Sequence, residues 1–359
     1  MNTTYQTTVA DKFLALLREN IPSAEFRHES MAPLARAMQY LAPWQAPRTA
    51  SRKVRFADGS CPMELRTPLV LAAGAAKQAR CLSAFASFGF GAVTVGTATL
   101  RPRKGNPLHP RVRTVEESRA IQNAMGLNNP GIETLVRRIA SERFAIESER
   151  LLVGVSVAED PDLLPDESPD ANVLACLAAA YPESDYIELN LSCPNTGHER
   201  LDRAWDRIRR LLGEVSAFRE RQEVRKPLWV KLSPDLADES FATALDNVRE
   251  AGLTGVILFN TWPAAHGTWP MGEPLPELPE LGRPGLLGGL SGHPLFPRTL
   301  DGIRRAASLK TGLSLVGCGG VETGSQASDL LDSGADLVQL YSVLAFRWMA
   351  ARRIAEELR

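Results

Sequence analysis

From Pro68 onward the chain alternates short apolar runs with stretches of helical pattern, and eight such runs follow in one unbroken series. They are Leu69 to Leu71, Ala92 to Val95, Leu152 to Val157, Tyr186 to Asn190, Leu228 to Leu232, Gly255 to Phe259, Leu313 to Gly317 and Leu337 to Tyr341. Helix-like patterns fill the intervals at Cys81 to Phe88, Gly131 to Ile139, Leu201 to Arg219, Ser240 to Ala251, Leu300 to Ser308 and Gly324 to Asp332. Short runs of β-formers bounded by turn residues read as strands, and strands that alternate with helices build a parallel sheet. Eight repeats over about 290 residues suit closure into a (β/α)8 TIM barrel of the α/β class; an open doubly wound sheet is the other arrangement the pattern allows.

The chain before these repeats reads differently and divides the protein into an N-terminal helical extension, 1–60, and a barrel domain, 61–359. Phe13, Leu14, Leu16 and Leu17 lie at near-helical spacing, and Ser30 is placed to cap a second helix carrying Met31, Leu34, Met38 and Leu41. Pro43, Trp44 and Pro47 end that pattern, and Pro62 and Pro68 flank an extended lead-in. Residues 11–45 read either as a cap packed on the barrel or as a surface that meets a membrane or a hydrophobic electron carrier. No apolar run approaches the roughly 20 residues of a membrane-spanning helix. With 41 Lys plus Arg against 42 Asp plus Glu, nothing global points to nucleic acid. Five cysteines form no Cys-x-x-Cys pair, which disfavours a disulfide framework, a zinc site or an iron-sulfur cluster and suits a reducing, cytoplasmic setting.

In such barrels chemistry sits at the C-terminal ends of the strands. The first strand leads into Ala72-Ala73-Gly74-Ala75-Ala76-Lys77, small residues followed by a cation, and the second ends in Gly96-Thr97. Arg101 to Pro107 is a basic run that by itself reads as a solvated loop, and Gln122 to Asn129 places amides on a glycine-containing loop. The fourth strand runs into Asn190-Leu191-Ser192-Cys193-Pro194-Asn195. Alone, an Asn-x-Ser is more often a capped turn than a site; the added thiol, proline and second amide make this run more specific. Lys231 interrupts an apolar strand, where a buried ammonium needs an anionic partner. Strand six ends in Phe259-Asn260-Thr261, the last two in Gly317-Cys318-Gly319-Gly320 and Tyr341-Ser342. Glycine loops after strands seven and eight, with Gly288 to Gly292, are where a barrel commonly grips a phosphate.

These motifs, in this order, resemble dihydroorotate dehydrogenase, an FMN enzyme of pyrimidine synthesis, from about Pro68 to Trp348. The resemblance implies that Asn123, Asn190, Asn195, Asn260 and Thr261 hold the ring of orotate, with Lys77, Met125, Gly126 and Leu127 beside them. It places Ala73, Gly74, Lys77, Thr97, Ser156, Asn190 and Lys231 around the flavin, and Gly292, Gly319, Gly320, Tyr341 and Ser342 around its phosphate. Catalysis would rest on Cys193, the base that takes the C5 proton of dihydroorotate while C6 delivers hydride to flavin N5, and on Lys231, a fixed positive charge near the flavin's pyrimidine end.

The chain also departs from the family's classes. A cysteine base goes with the soluble class that reduces fumarate, or NAD through a partner subunit, whereas the extension, Lys77 and Gly96-Thr97 go with the membrane-associated quinone class. Ser156 stands where that class has a flavin-contacting asparagine, and the segment from Trp262 to Leu287 is long, with 26 residues, two tryptophans and six prolines. The electron acceptor (quinone, fumarate or another) and homodimer formation therefore stay open. A related FMN barrel acting on a different small cyclic or unsaturated substrate, and a non-catalytic binding barrel, are the alternatives to dihydroorotate oxidation.

Overall fold

The computed structural model describes Ala24, Glu25, Pro33, Arg36 and residues 51–163, 166–191 and 205–358. Its strands, in chain order, are β1 (Arg52–Val54), β2 (Met63–Leu65), β3 (Leu69–Ala76), β4 (Ala92–Ala98), β5 (Val112–Val115), β6 (Ala120–Asn123), β7 (Leu152–Val157), β8 (Tyr186–Asn190), β9 (Leu228–Leu232), β10 (Gly255–Leu258), β11 (Trp262–Pro263), β12 (Gly289–Gly292), β13 (Ser314–Cys318) and β14 (Leu337–Leu340). Eight of them close a parallel barrel in the order β3-β4-β7-β8-β9-β10-β13-β14, with β14 returning to β3. The fold is a (β/α)8 TIM barrel.

Side-chain alternation sorts each barrel strand between two layers. On β8, Ile187 and Leu189 join the layer between strands and helices, as do Leu228, Val230 and Leu232 on β9 and Val338 and Leu340 on β14. Tyr186, Trp229 and Leu337 alternate inward and form the lower plug of the barrel with Val70, Ile257 and Val316. The β1–β2 hairpin seals that end through Val54, Phe56, Met63 and Leu65. It pairs Arg52 with Leu65 and so straddles position 60, the boundary expected for the barrel domain. Continuing the alternation upward places Thr94, Glu188, Lys231 and Gln339 inside the barrel, above the plug and below the catalytic end.

The plug leaves no room for a side chain at Gly154. A Cβ added to Gly154 would lie 2.0 Å from the Tyr186 ring, and Tyr186 is buried with its hydroxyl 2.9 Å from the Thr94 hydroxyl. Gly154→Ala is therefore expected to destabilise the fold by about 1–3 kcal/mol through overpacking. Urea denaturation followed by tryptophan fluorescence measures it. Gly213→Ala, on a helix and with nothing within 4 Å of the new methyl group, is the control and should be neutral or slightly stabilising.

Several elements differ from the sequence reading. The strands β3 and β4 run on to Ala76 and Ala98, and β10, β13 and β14 are each shifted or trimmed by a residue at their ends. A helix at Pro169–Ala180, between β7 and β8, had no counterpart in the pattern. Its buried residues Asn172, Val173, Cys176, Leu177 and Ala180 share one face, but alanines also fill the exposed face and a polar Asn172 sits on the buried one, which blurs the 3.6-residue contrast; the start is marked by Ser168, which accepts from the Ala171 N–H, and by Pro169 at the first position. Gln122 and Asn123 are not on a loop: β6 pairs with β5 and with β12 in a four-stranded antiparallel sheet, β11-β12-β6-β5, over the catalytic end. Gly289 to Gly292 forms the strand β12, paired with β6. The expected helices of the extension and the surface at 11–45 lie outside the described residues, apart from the four positions named above. Of these, Glu25 is buried and accepts from the Arg111 backbone N–H (2.9 Å) and Arg111 Nε (2.6 Å). Among the described residues no helix is long and apolar enough to cross a membrane.

Candidate active site

A cleft that opens to solvent lies at the C-terminal end of the barrel, lined by the strand ends and by the sheet above them. The strand ends bring Ala73, Gly74, Lys77, Thr97, Asn190, Lys231, Asn260, Thr261, Gly319, Gly320, Tyr341 and Ser342 to its wall. The strand β6 and the turn after it add Asn123, Met125, Gly126 and Leu127. Ser156 and Gly292 stand behind the wall. Ser156 is buried against the Thr97 hydroxyl at 2.9 Å, so it meets the cleft only through Thr97. Gly292 supplies its carbonyl to the back of the Gly320 turn. Cys193 and Asn195 lie outside the described residues.

The amides on one wall are wired together. The Thr261 N–H donates to Asn260 Oδ1 (2.9 Å), Asn260 Nδ2 to Asn190 Oδ1 (3.1 Å), and Asn190 Nδ2 to Thr97 Oγ1 (3.0 Å). Each bond fixes which end of the next amide is donor and which is acceptor, so the row is oriented in one sense. On the facing side Asn123 Nδ2 donates to the Gly289 carbonyl at 3.2 Å, a bond that follows from the Gly289–Asn123 register of β12 and β6. Lys77 Nζ donates to Asn128 Oδ1 at 2.6 Å and is thereby held over the cleft.

The opposite floor carries the charge. Lys231 Nζ donates to Gln339 Oε1 at 3.1 Å, and Gln339 Nε2 donates to Glu188, which also accepts from the Thr94 hydroxyl at 2.7 Å. Burial pushes the Glu188 carboxyl up, against the pull of Lys231 and the Thr94 and Gln339 bonds. Burial also raises the Cys318 thiol, which Lys231 counters by charge and a hydrogen bond while Glu188 adds to the rise. The Tyr341 phenol is pushed well up by burial and stays neutral.

Phe259, Asn128, Ser291, Leu295, Cys318, Val321, Gln339 and Leu340 also line the cleft and were not singled out from the sequence. Cys318 and Gln339 had a readable signal, since each is the polar position near the end of an otherwise apolar strand. Asn128 and Ser291 lie inside runs that were marked as a whole, Gln122 to Asn129 and Gly288 to Gly292, but nothing in the sequence set these two positions apart from their neighbours.

The long segment 262–287 packs on that sheet. Gln122 Nε2 donates to the carbonyls of Pro279 (2.8 Å) and Leu287 (3.0 Å), Trp262 Nε1 to that of Thr268 (2.7 Å), and Trp269 is buried with Ala264, Leu290 and Ala120. None of its residues is on the cleft wall among the described residues.

The sequence pattern of the family described as dihydroorotate dehydrogenase matches residues 58–359. A dihydroorotate dehydrogenase (quinone) of Kineococcus radiotolerans is 36% identical over 306 residues, covering 82% of this chain and 79% of that one. The protein of the same description from Delftia acidovorans is 33% identical over 296 residues, 80% and 82% of the two chains. Among solved structures, the Eimeria tenella enzyme in complex with ferulenol superposes with a TM-score of 0.79 at 28% identity, covering 96% of this chain and 93% of that one. A match over the whole barrel, and relatives a third identical over four-fifths of the chain, show that this protein belongs to the dihydroorotate dehydrogenase family, oxidoreductases that act on CH–CH bonds.

Proposed function

We propose that the chain oxidises dihydroorotate to orotate with FMN as its cofactor. The observation that carries this reading is the oriented amide row Thr261–Asn260–Asn190–Thr97, which faces Asn123 across the cleft. Among the described residues the side-chain bonds of Asn190 to Thr97 and Asn260 use one of its two amide hydrogens and one of its two oxygen lone pairs, so it offers a further donor and acceptor to a ring that carries both N–H and C=O groups. That segment 262–287 stays off the wall favours dihydroorotate over a substrate admitted by a remodelled loop.

The residues also fit a flavin. Gly74 and its alanine neighbours give a flat wall whose glycine Cβ position lies 3.4 Å from the Tyr341 ring, so a side chain there would encroach on the cleft. Gly319 and Gly320 have φ of 141° and 74°, a turn that favours glycine and turns backbone toward the cleft beside Ser342 and Tyr341, as suits a phosphate. When bound, FMN supplies the two-electron acceptor. Lys231 brings a fixed positive charge to that acceptor, the asparagines orient the substrate, and Cys193 removes its C5 proton. A thiol suits the task because its unperturbed pKa, about 8.5, lies nearer working pH than a hydroxyl's. A quinone is the acceptor this reading favours, after the relatives that carry quinone in their descriptions.

The test is anaerobic mixing of purified protein with dihydroorotate. The expected result is a yellow protein that releases FMN on heating and bleaches on mixing, and that turns over faster with a quinone than with fumarate. A protein that holds FMN but does not bleach overturns dihydroorotate as the substrate.

A further inference from the structure

Beneath Lys231 lies a buried carboxylate, Glu188, that has no part in the chemistry proposed above. Glu188 has no solvent exposure and does not touch the cleft. A buried carboxylate is costly unless it is compensated, and every hydrogen-bond donor around it is aligned to do so. Thr94 has one hydroxyl hydrogen and gives it to Glu188 Oε1, so at the 2.9 Å contact with Tyr186 the phenol must be the donor. Gln339 gives its amide hydrogen to the same oxygen and turns its carbonyl to Lys231 Nζ. A carboxylate can only accept and an ammonium can only donate, so the two charges together dictate the one orientation of the amide between them. Glu188 Oε2 has no hydrogen-bond partner among the described residues, which leaves the charge of Lys231 as the main compensation for that oxygen. No Asp or Glu lies on the cleft wall among the described residues.

We propose that Glu188 is a positioning residue: linked through the Gln339 amide, its carboxylate is the buried counter-charge that holds the Lys231 ammonium and sets how much positive charge the site presents to the cofactor. The inference rests on the flavin reading above. It gives strand β8 two jobs, since Asn190 faces the substrate while Glu188, two residues earlier on the same face, tunes the charge beneath it.

Glu188→Gln keeps the shape and removes the negative charge. The site then presents a less compensated cation, so sulfite, an anion that adds to oxidised flavins, should bind roughly tenfold more tightly. The FMN midpoint potential should rise by about 30 mV, the same tenfold expressed for a two-electron couple. Thr94→Val withdraws one of the two donors from Oε1 and so favours the neutral, protonated carboxyl; it should move sulfite affinity in the same direction by roughly threefold and the potential by about 15 mV, and it decides the matter if Glu188→Gln does not fold. A purely structural Glu188 would alter stability and leave both readouts at their wild-type values, and that result with FMN fully bound overturns the inference. Wild-type protein that takes up no FMN overturns the flavin reading instead, so the two failures are distinguishable.

Discussion

Cys193→Ala is expected to bind FMN and orotate within about threefold of the wild type while dihydroorotate reduces the flavin ~10²–10⁴-fold more slowly, the usual contribution of a positioned general base. The binding groups belong to other positions. Asn190 is oriented by Thr97 and Asn260, and Lys231 by Gln339, none of which depends on the thiol for its bond. Losing the base should therefore lower the rate of the reductive half-reaction and leave affinity nearly alone, which stopped-flow bleaching across a range of dihydroorotate concentrations separates. The pH profile gives an independent reading. A base is inactive when protonated, so the wild-type rate should climb with pH toward the thiol's titration, and in Cys193→Ser the climb should move to more alkaline pH because a hydroxyl holds its proton far longer. An unchanged rate in the alanine variant removes Cys193 from the role.

Which parts were legible in the sequence follows from how local their causes are. The strands β7, β8 and β9 have the same limits in sequence and structure because each is a compact run of β-formers ended by a turn, by Pro194-containing sequence, or by Ser233-Pro234. The strand β12 was not legible, because Gly289-Leu290-Ser291-Gly292 has almost no strand propensity of its own. It is extended because β6 and β11 pair with it on both sides, and the partner β6 lies far away in the chain. The site divides in the same way. Residues at strand ends, such as Asn190, Asn260 and Ser342, were found because the fold class says where to look. Lys231 could be marked as a buried cation in need of an anion, yet the sequence could not say that Glu188 answers it through Gln339. That pairing exists only because β8, β9 and β14 are staves of one closed barrel.

The same closure makes Lys231→Met the substitution with the largest expected effect on stability. Removing the buried cation leaves Glu188, to which it is linked through Gln339, with its charge uncompensated, at a cost of about 3–5 kcal/mol. Methionine fills most of the volume, so little of the loss should come from a cavity. The loss should also depend on pH, with a sign fixed by Glu188. Burial already raises its carboxyl above the ordinary 4.5, and Lys231 is the leading influence holding it down. Without Lys231 the folded-state value rises further. Between the unfolded and the folded values the folded chain then binds a proton that the unfolded chain releases, so stability falls as pH rises through that window. Below about pH 4.5 both states are protonated and this loss vanishes; above the folded value it is complete and flat. The gap between variant and wild type should accordingly be small near pH 5 and widest at alkaline pH. Adding Glu188→Gln to Lys231→Met should recover most of the lost stability and flatten the pH dependence, since neither charge is then present. Urea denaturation of the wild type, the single variant and the double variant over that pH range checks each step. A destabilisation of equal size at every pH, or a double variant no more stable than Lys231→Met, would show that Lys231 and Glu188 do not compensate one another.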